Sequence, residues 1–265
     1  MLWRKHWLQL RWLTLAGAVL LTVIAWITVD GQRSASFASD VAEIATALPG
    51  TVTRYTVPSP FTRYLEAHAL GGPLQALLIG LALCIGVGGP GFERSGTTAV
   101  FTLSLPYTRR RLVLGRFLAA ATVIALLSIF VVLLIAALAA FEGQGAEFPF
   151  AEALAIGVCL ASGAIAVLSL SFLLANVTGN TIATLASAIV ILIVVSMVVG
   201  AAYDRWWRTP NIWLQVAAPF DYMRLMGAKD FTATSRLPWP RIGAALALSG
   251  ALAVATVAWV ERQDF

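Results

Sequence analysis

Nucleotide hydrolysis at a phosphate-binding loop needs a lysine at the end of a glycine-rich turn, because its ammonium meets the phosphates. The chain has two lysines, Lys5 and Lys229, and they follow Arg4 and Ala228. No such loop can be built from it, so this chain alone is no P-loop ATPase. Its two histidines, His6 and His68, belong to no cluster of Cys, His and carboxylates at metal-ligand spacing. Cys84 and Cys159 fall inside apolar runs and read as small apolar side chains, neither a disulfide framework nor metal ligands. An intramembrane enzyme would need paired carboxylates, a Ser/His pair or a metal motif in its helices. The sequence offers none, so no catalytic residue and no metal site is assigned.

Three polar segments remain that could carry function. The first opens on Gly88-Gly89-Pro90-Gly91 and continues through Glu93, Arg94, Gly96 and Thr97 to Leu103-Ser104-Leu105-Pro106, then Arg109-Arg110-Arg111 and Leu114-Gly115-Arg116. It reads as a short, mildly polar helix stopped near Pro106, followed by three arginines before an apolar run. Such a helix can lie on the inner membrane face for a soluble partner. It can equally be an anchor on anionic lipid, where each basic residue near the surface contributes about 1 kcal/mol. The second is the N-terminus, where Trp3, Trp7 and Leu10 share one helical face and Arg4 and Arg11 another, with Lys5 beside them. That is the pattern of an interfacial helix with aromatic anchors. The third, residues 203–213, is rich in Trp and Arg, as a headgroup-level aromatic belt is.

These segments must be positioned by a membrane. Only 12% of the 265 residues are charged and 59% are hydrophobic. A soluble domain carries about 25% charged residues. Charge-free runs extend over 13–29, 67–92, 117–141, 153–203 and 242–260. A bilayer is crossed by about 20 apolar residues, and in lipid each run must be helical to satisfy its own backbone. The run 153–203 is 51 residues long and is split by the polar, helix-breaking Asn176-Val177-Thr178-Gly179-Asn180. The reading is an all-α integral membrane protein with six transmembrane helices at about 13–29, 74–89, 112–141, 151–174, 181–203 and 242–260. An N-terminal interfacial helix precedes them, and a short cytoplasmic helix lies between the second and third. The whole of 1–265 is expected to be one transmembrane domain. Residues 13–29 are too long a core for a cleaved signal peptide and read as a retained anchor.

Lys and Arg divide nine to nine between the two sides, so their raw number does not orient the chain. Charges in short loops near helix ends do most of the orienting. Arg109–Arg111 and the basic N-terminus are of that kind, which puts both termini in the cytoplasm. No charged residue lies deep in a span, which argues against a proton-coupled carrier. Hydroxyls such as Ser162, Ser169, Ser171, Ser187 and Ser196 could line a path instead.

The pattern Glu93-Arg94-x-Gly96-Thr97, Leu103-Ser104-Leu105-Pro106, Arg109 and Leu114-Gly115-Arg116 resembles the loop of type-2 ABC (ATP-binding cassette) permeases. The ending Glu261-Arg262-Gln263-Asp264-Phe265 is similar to that family's C-terminus. Arg116 stands where lysine is commoner, and Gln263 where arginine is commoner. The resemblance implies that residues 93–108 are a coupling helix seated on a separate ATPase. Glu93, Arg94, Gly96, Thr97, Leu105, Pro106 and Arg109 would be its contact residues. It also implies that the helix carrying Trp3, Arg4, Lys5 and Trp7 can touch that ATPase. Short re-entrant helices near Trp213, Pro219 and Phe220 would form an outer gate.

The function expected is the permease subunit of an ABC exporter in a bacterial cytoplasmic membrane. Its partners would be an ABC ATPase subunit, a second or homologous permease and membrane lipids, without nucleic acid. ATP and Mg belong to the ATPase and no cofactor to this chain. The alternative is a non-transporting polytopic assembly factor or sensor.

Overall fold

The computed structural model describes residues 2–34, 65, 73–88, 109–143, 148–206 and 239–262. Among them there are six helices and no strand: α1 (Leu2–Ser34), α2 (Pro73–Val87), α3 (Arg109–Phe141), α4 (Phe150–Thr178), α5 (Thr181–Trp206) and α6 (Trp239–Arg262). The six expected spans are therefore helical at their described residues, except that Gly88 of the second forms a turn after α2. Four helices are long and apolar enough to cross a membrane: Leu10–Gly31, Arg110–Phe141, Phe150–Thr178 and Ile242–Arg262. Two apolar helical stretches, Pro73–Val87 and Thr181–Val195, are shorter. The 15 residues of α2 rise about 22 Å, less than a hydrocarbon core of about 30 Å.

The N-terminus differs from expectation. Residues 3–12 are not a separate interfacial helix; they are continuous with the first span in one 33-residue helix. No Gly or Pro lies between Leu2 and Ala16 to break it, and the intervening Leu, Arg, Lys and Gln are good helix formers. Arg11 lies over the Trp12 ring, 5.2 Å from its centroid.

The bundle is organised around α4, the most buried of the long spans. It packs against α3, α6, α2 and α5, while α1 lies on α3 and α2. Phe117 of α3 meets Phe172 of α4 with ring centroids 5.8 Å apart. Gly157 of α4 faces the Ile129 backbone, whose Cα lies 3.1 Å from where a glycine Cβ would sit. These two contacts make α3 and α4 antiparallel and fix their register. The core between them includes Ile124, Val131, Ile135, Leu160, Ala164 and Leu168, all fully buried.

Small residues set the closest crossings. A Cβ on Gly86 of α2 would collide with the Ser171 hydroxyl of α4 and lie 3.1 Å from the Leu168 carbonyl oxygen. Ser171 Oγ is 3.0 Å from that oxygen and 3.4 Å from the Ala82 carbonyl across the interface. In lipid, where apolar surface alone drives little helix association, such approach is what holds helices together.

The Gly86→Ala variant should lose about 1–3 kcal/mol through overpacking, despite its better helix propensity. Adding Ser171→Gly should recover much of the loss. Thermal unfolding of the detergent-solubilised variants, followed by size exclusion, checks both.

Candidate functional site

The large apolar side chains exposed on α3 run from Leu118 to Phe141. At about 1.5 Å per residue they cover about 34 Å, close to the thickness of a hydrocarbon core. Trp239 and Trp259, both exposed, bracket about 30 Å of α6 in the same way. The 33 residues of α3 rise about 50 Å, so its first two turns, from Arg109, extend past this apolar belt. Arg110 and Arg111 are exposed there. Arg110 precedes Phe117 by seven residues and so shares its α4-facing stripe, level with the end of α4.

The end of α4 is a built turn. Gly179 adopts φ 65°, the left-handed conformation in which a Cβ is disfavoured, and its N–H donates to the Ala175 carbonyl at 3.2 Å. Asn180 then caps α5, its Oδ1 accepting from the N–H groups of Ile182 at 2.9 Å and Ala183 at 3.3 Å. The hydroxyls of Thr178 and Thr184 lie 2.7 Å apart across the turn. The break expected over 176–180 is thus two residues long. Asn176 and Val177 belong to α4, and buried Asn176 donates from Nδ2 to the Phe172 carbonyl at 2.8 Å.

Of the hydroxyls read from the sequence as a possible path lining, Ser162, Ser169, Ser171 and Ser187 bond to the backbone of their own helices. Ser162, Ser169 and Ser171 are buried in the bundle. Ser162 donates to Cys159, Ser169 to Ile165 and Ser187 to Thr184, all within their own helices at 2.7–3.0 Å. They satisfy themselves against the backbone and allow close packing. Ser128, Ser249 and Thr256 do the same on α3 and α6. Among the described residues, no group of three or more His, Cys, Asp or Glu could hold a metal ion.

Of the residues expected to meet an ATPase, Arg109 is the first of α3. Glu93, Arg94, Gly96, Thr97, Leu105 and Pro106 lie outside the described residues, as do Trp213, Pro219 and Phe220. Trp3, Arg4, Lys5 and Trp7 all fall in the opening turns of α1. What the sequence reading missed is the shape of the turn at Gly179–Asn180, two residues long and hydrogen-bonded on both sides. Its signal was present in a Gly followed by Asn, the C-terminal and N-terminal cap residues in succession.

A chain whose described residues form only helices, four of them apolar and of membrane-crossing length, is a multi-pass membrane protein. Residues 77–218, just over half of the chain, match the family described as ABC-2 family transporter protein, and the chain belongs to that family. The match begins in α2 and ends beyond α5. No curated protein matches the chain.

Because Gly179 is left-handed, Gly179→Val should cost about 1–2 kcal/mol. Removing the cap with Asn180→Ala should cost about 1 kcal/mol. Both should appear as lowered unfolding midpoints in detergent.

Proposed function

We propose that the chain is the permease subunit of an ABC exporter, forming the translocation path and coupled to a separate ATPase subunit that binds ATP and Mg and hydrolyses the nucleotide. The observation that carries this reading is the family match over 77–218, which includes the whole segment from Glu93 to Arg109. In this reading α2 and α5 also cross the membrane, giving six spans with both termini in the cytoplasm of a bacterial cell. The overhanging start of α3 then lies on the cytoplasmic side, directly after residues 93–108. Those residues act as the coupling helix, with Glu93 and Arg109 as its principal polar contacts. Continuity of α3 gives the mechanism: a displacement imposed on Arg109 by a closing ATPase dimer is carried along one rigid helix into the packed α3–α4 interface. A second permease, identical or homologous, completes the path. Trp213, Pro219 and Phe220 are assigned to its outer gate. The chain performs no hydrolysis itself, since neither of its lysines stands in a phosphate-binding loop.

The double variant Glu93→Ala, Arg109→Ala should insert normally and lose most of its stimulation of the partner's ATPase activity. Full stimulation in that variant would reject the coupling assignment. Replacing Arg4 and Lys5 by Gln separates two roles of the N-terminus. A fall in recovered ATPase at unchanged membrane level marks a contact with the ATPase, and a fall in membrane level alone marks a lipid anchor.

A further inference from the structure

We infer that the bilayer is thinned against the face formed by α1 and α2, where the headgroups of the two leaflets approach to about 21 Å, about 13 Å closer than along α3. The inference rests on the six-span reading for one thing only, that α1 and α3 run in the same direction.

The heights come from one contact. A Cβ on Gly17 of α1 would lie 3.1 Å from Leu81 of α2 and 3.5 Å from Leu127 of α3, so the three residues share a level. Ile129 of α3, just past Leu127, faces Gly157 of α4. Gly86 of α2, past Leu81, faces Leu168 and Ser171 of the same helix. Moving along α2 therefore means moving along α4 in the same direction, and α2 runs against α3. Toward Arg109, the exposed apolar belt of α3 ends at Leu118, about 13 Å from this level. In the other direction it reaches Phe141, about 21 Å away. α2 is shorter at both ends: it stops at Val87, about 9 Å from the level on the Arg109 side, and begins at Pro73, about 12 Å away on the other. Gly71-Gly72 precede it and Gly88-Gly89-Pro90 follow, so helix breakers stand at both limits.

The adjacent helix α1 marks the same two heights independently. Trp12 is 69% exposed and Trp26 63%. They lie about 8 Å from the level on the Arg109 side and about 13 Å on the other. Tryptophan belongs at the headgroups, and exposed Arg11 and Asp30 stand beyond the pair. An arginine alone can reach the headgroups by extending its side chain. The two indoles and the two ends of α2 have no such reach, and all four agree. Between the tryptophans the exposed side chains are Leu15, Val19, Leu20 and Val23, which acyl chains fit. Arg11, held over the Trp12 ring, presents a guanidinium to lipid phosphate at the edge. The centres of the short belt and of the long belt on α3 fall within about 2 Å of each other, so the short belt is truncated and not displaced. The wide spacing of Trp239 and Trp259 on α6 confines the thinning to the α1–α2 side.

The test attaches a nitroxide to single cysteines of the full chain, after Cys84→Ala and Cys159→Ala, in phosphatidylethanolamine–phosphatidylglycerol vesicles. Collisions with oxygen and with a nickel chelate report its depth. Ala16→Cys is paired with Leu126→Cys, each directly before the contact level, and Ile27→Cys with Ala137→Cys, equally far past it. In both pairs the label on α1 should read about 6 Å shallower. Leu20→Cys and Phe130→Cys, also level with each other, supply a third pair with the same direction of difference should a variant fail to fold. Equal depths within the pairs would overturn the thinning. So would a label on α1 that is shallower in one pair and deeper in another, the mark of two helices merely offset. Labels on α1 reached by neither reagent would mark a face covered by a second copy and would overturn it too. All three outcomes leave the permease reading standing. The direction of α1 has its own check: a membrane-impermeant thiol reagent should label Ile27→Cys on intact cells. Labelling only after the membrane is opened would overturn the six-span reading, and the thinning with it.

Discussion

A backbone amide in hydrocarbon has no water to bond to, and an unsatisfied one costs several kcal/mol. That constraint governs this protein at every level. It makes each apolar run a helix, and it decides how the few polar side chains within those runs behave. Thr14, Thr22, Thr28, Thr122, Ser128, Ser169, Ser249 and Thr256 all donate to the carbonyl four residues back. Asn176 uses its amide in the same way. Where the ladder has to stop in mid-chain, between α4 and α5, the loose groups are gathered at once by Gly179, Asn180 and the pair of threonines.

With these hydroxyls satisfied inside their own helices, association between helices depends largely on shape. Gly86 against Ser171, Gly157 against Ile129 and Gly17 against Leu81 are places where a missing side chain lets two helices approach. Two of the three involve α4, where they bring α2 and α3 close to it. The outward faces of α1 and α5 carry the opposite composition, with Val19, Trp26, Val190 and Met197 exposed, as lipid contact requires.

The sequence made the helices legible because charge-free runs have few alternatives in lipid. It located the α4–α5 break to within a few residues, but not its shape. Asn176 and Val177 look like turn residues on composition, yet they extend α4 because Asn176 can bond within the helix. It also suggested a separate interfacial helix at Trp3–Trp12. The change from an amphipathic to a uniformly apolar pattern was visible there, while the absence of a breaker mattered more. The register of α3 against α4 could not be read at all, since it depends on which glycine meets which backbone. The polar residues expected to carry function were legible only through likeness to a family. Spacing alone left residues 93–108 as either a docking helix or an anchor.

The charge-free turn at Gly179–Asn180 also bears on how the protein is made. On the six-span reading, two residues cannot let α5 choose its own direction once α4 has one, so the pair enters the bilayer as a single hairpin. The stretch 153–203 holds no charge and therefore no orienting signal of its own. Its antiparallel register with α3 puts the turn on whichever side retains Arg109–Arg111. On that reading the topology of the α4–α5 half is written ahead of it, in three arginines that leave the ribosome before either helix exists.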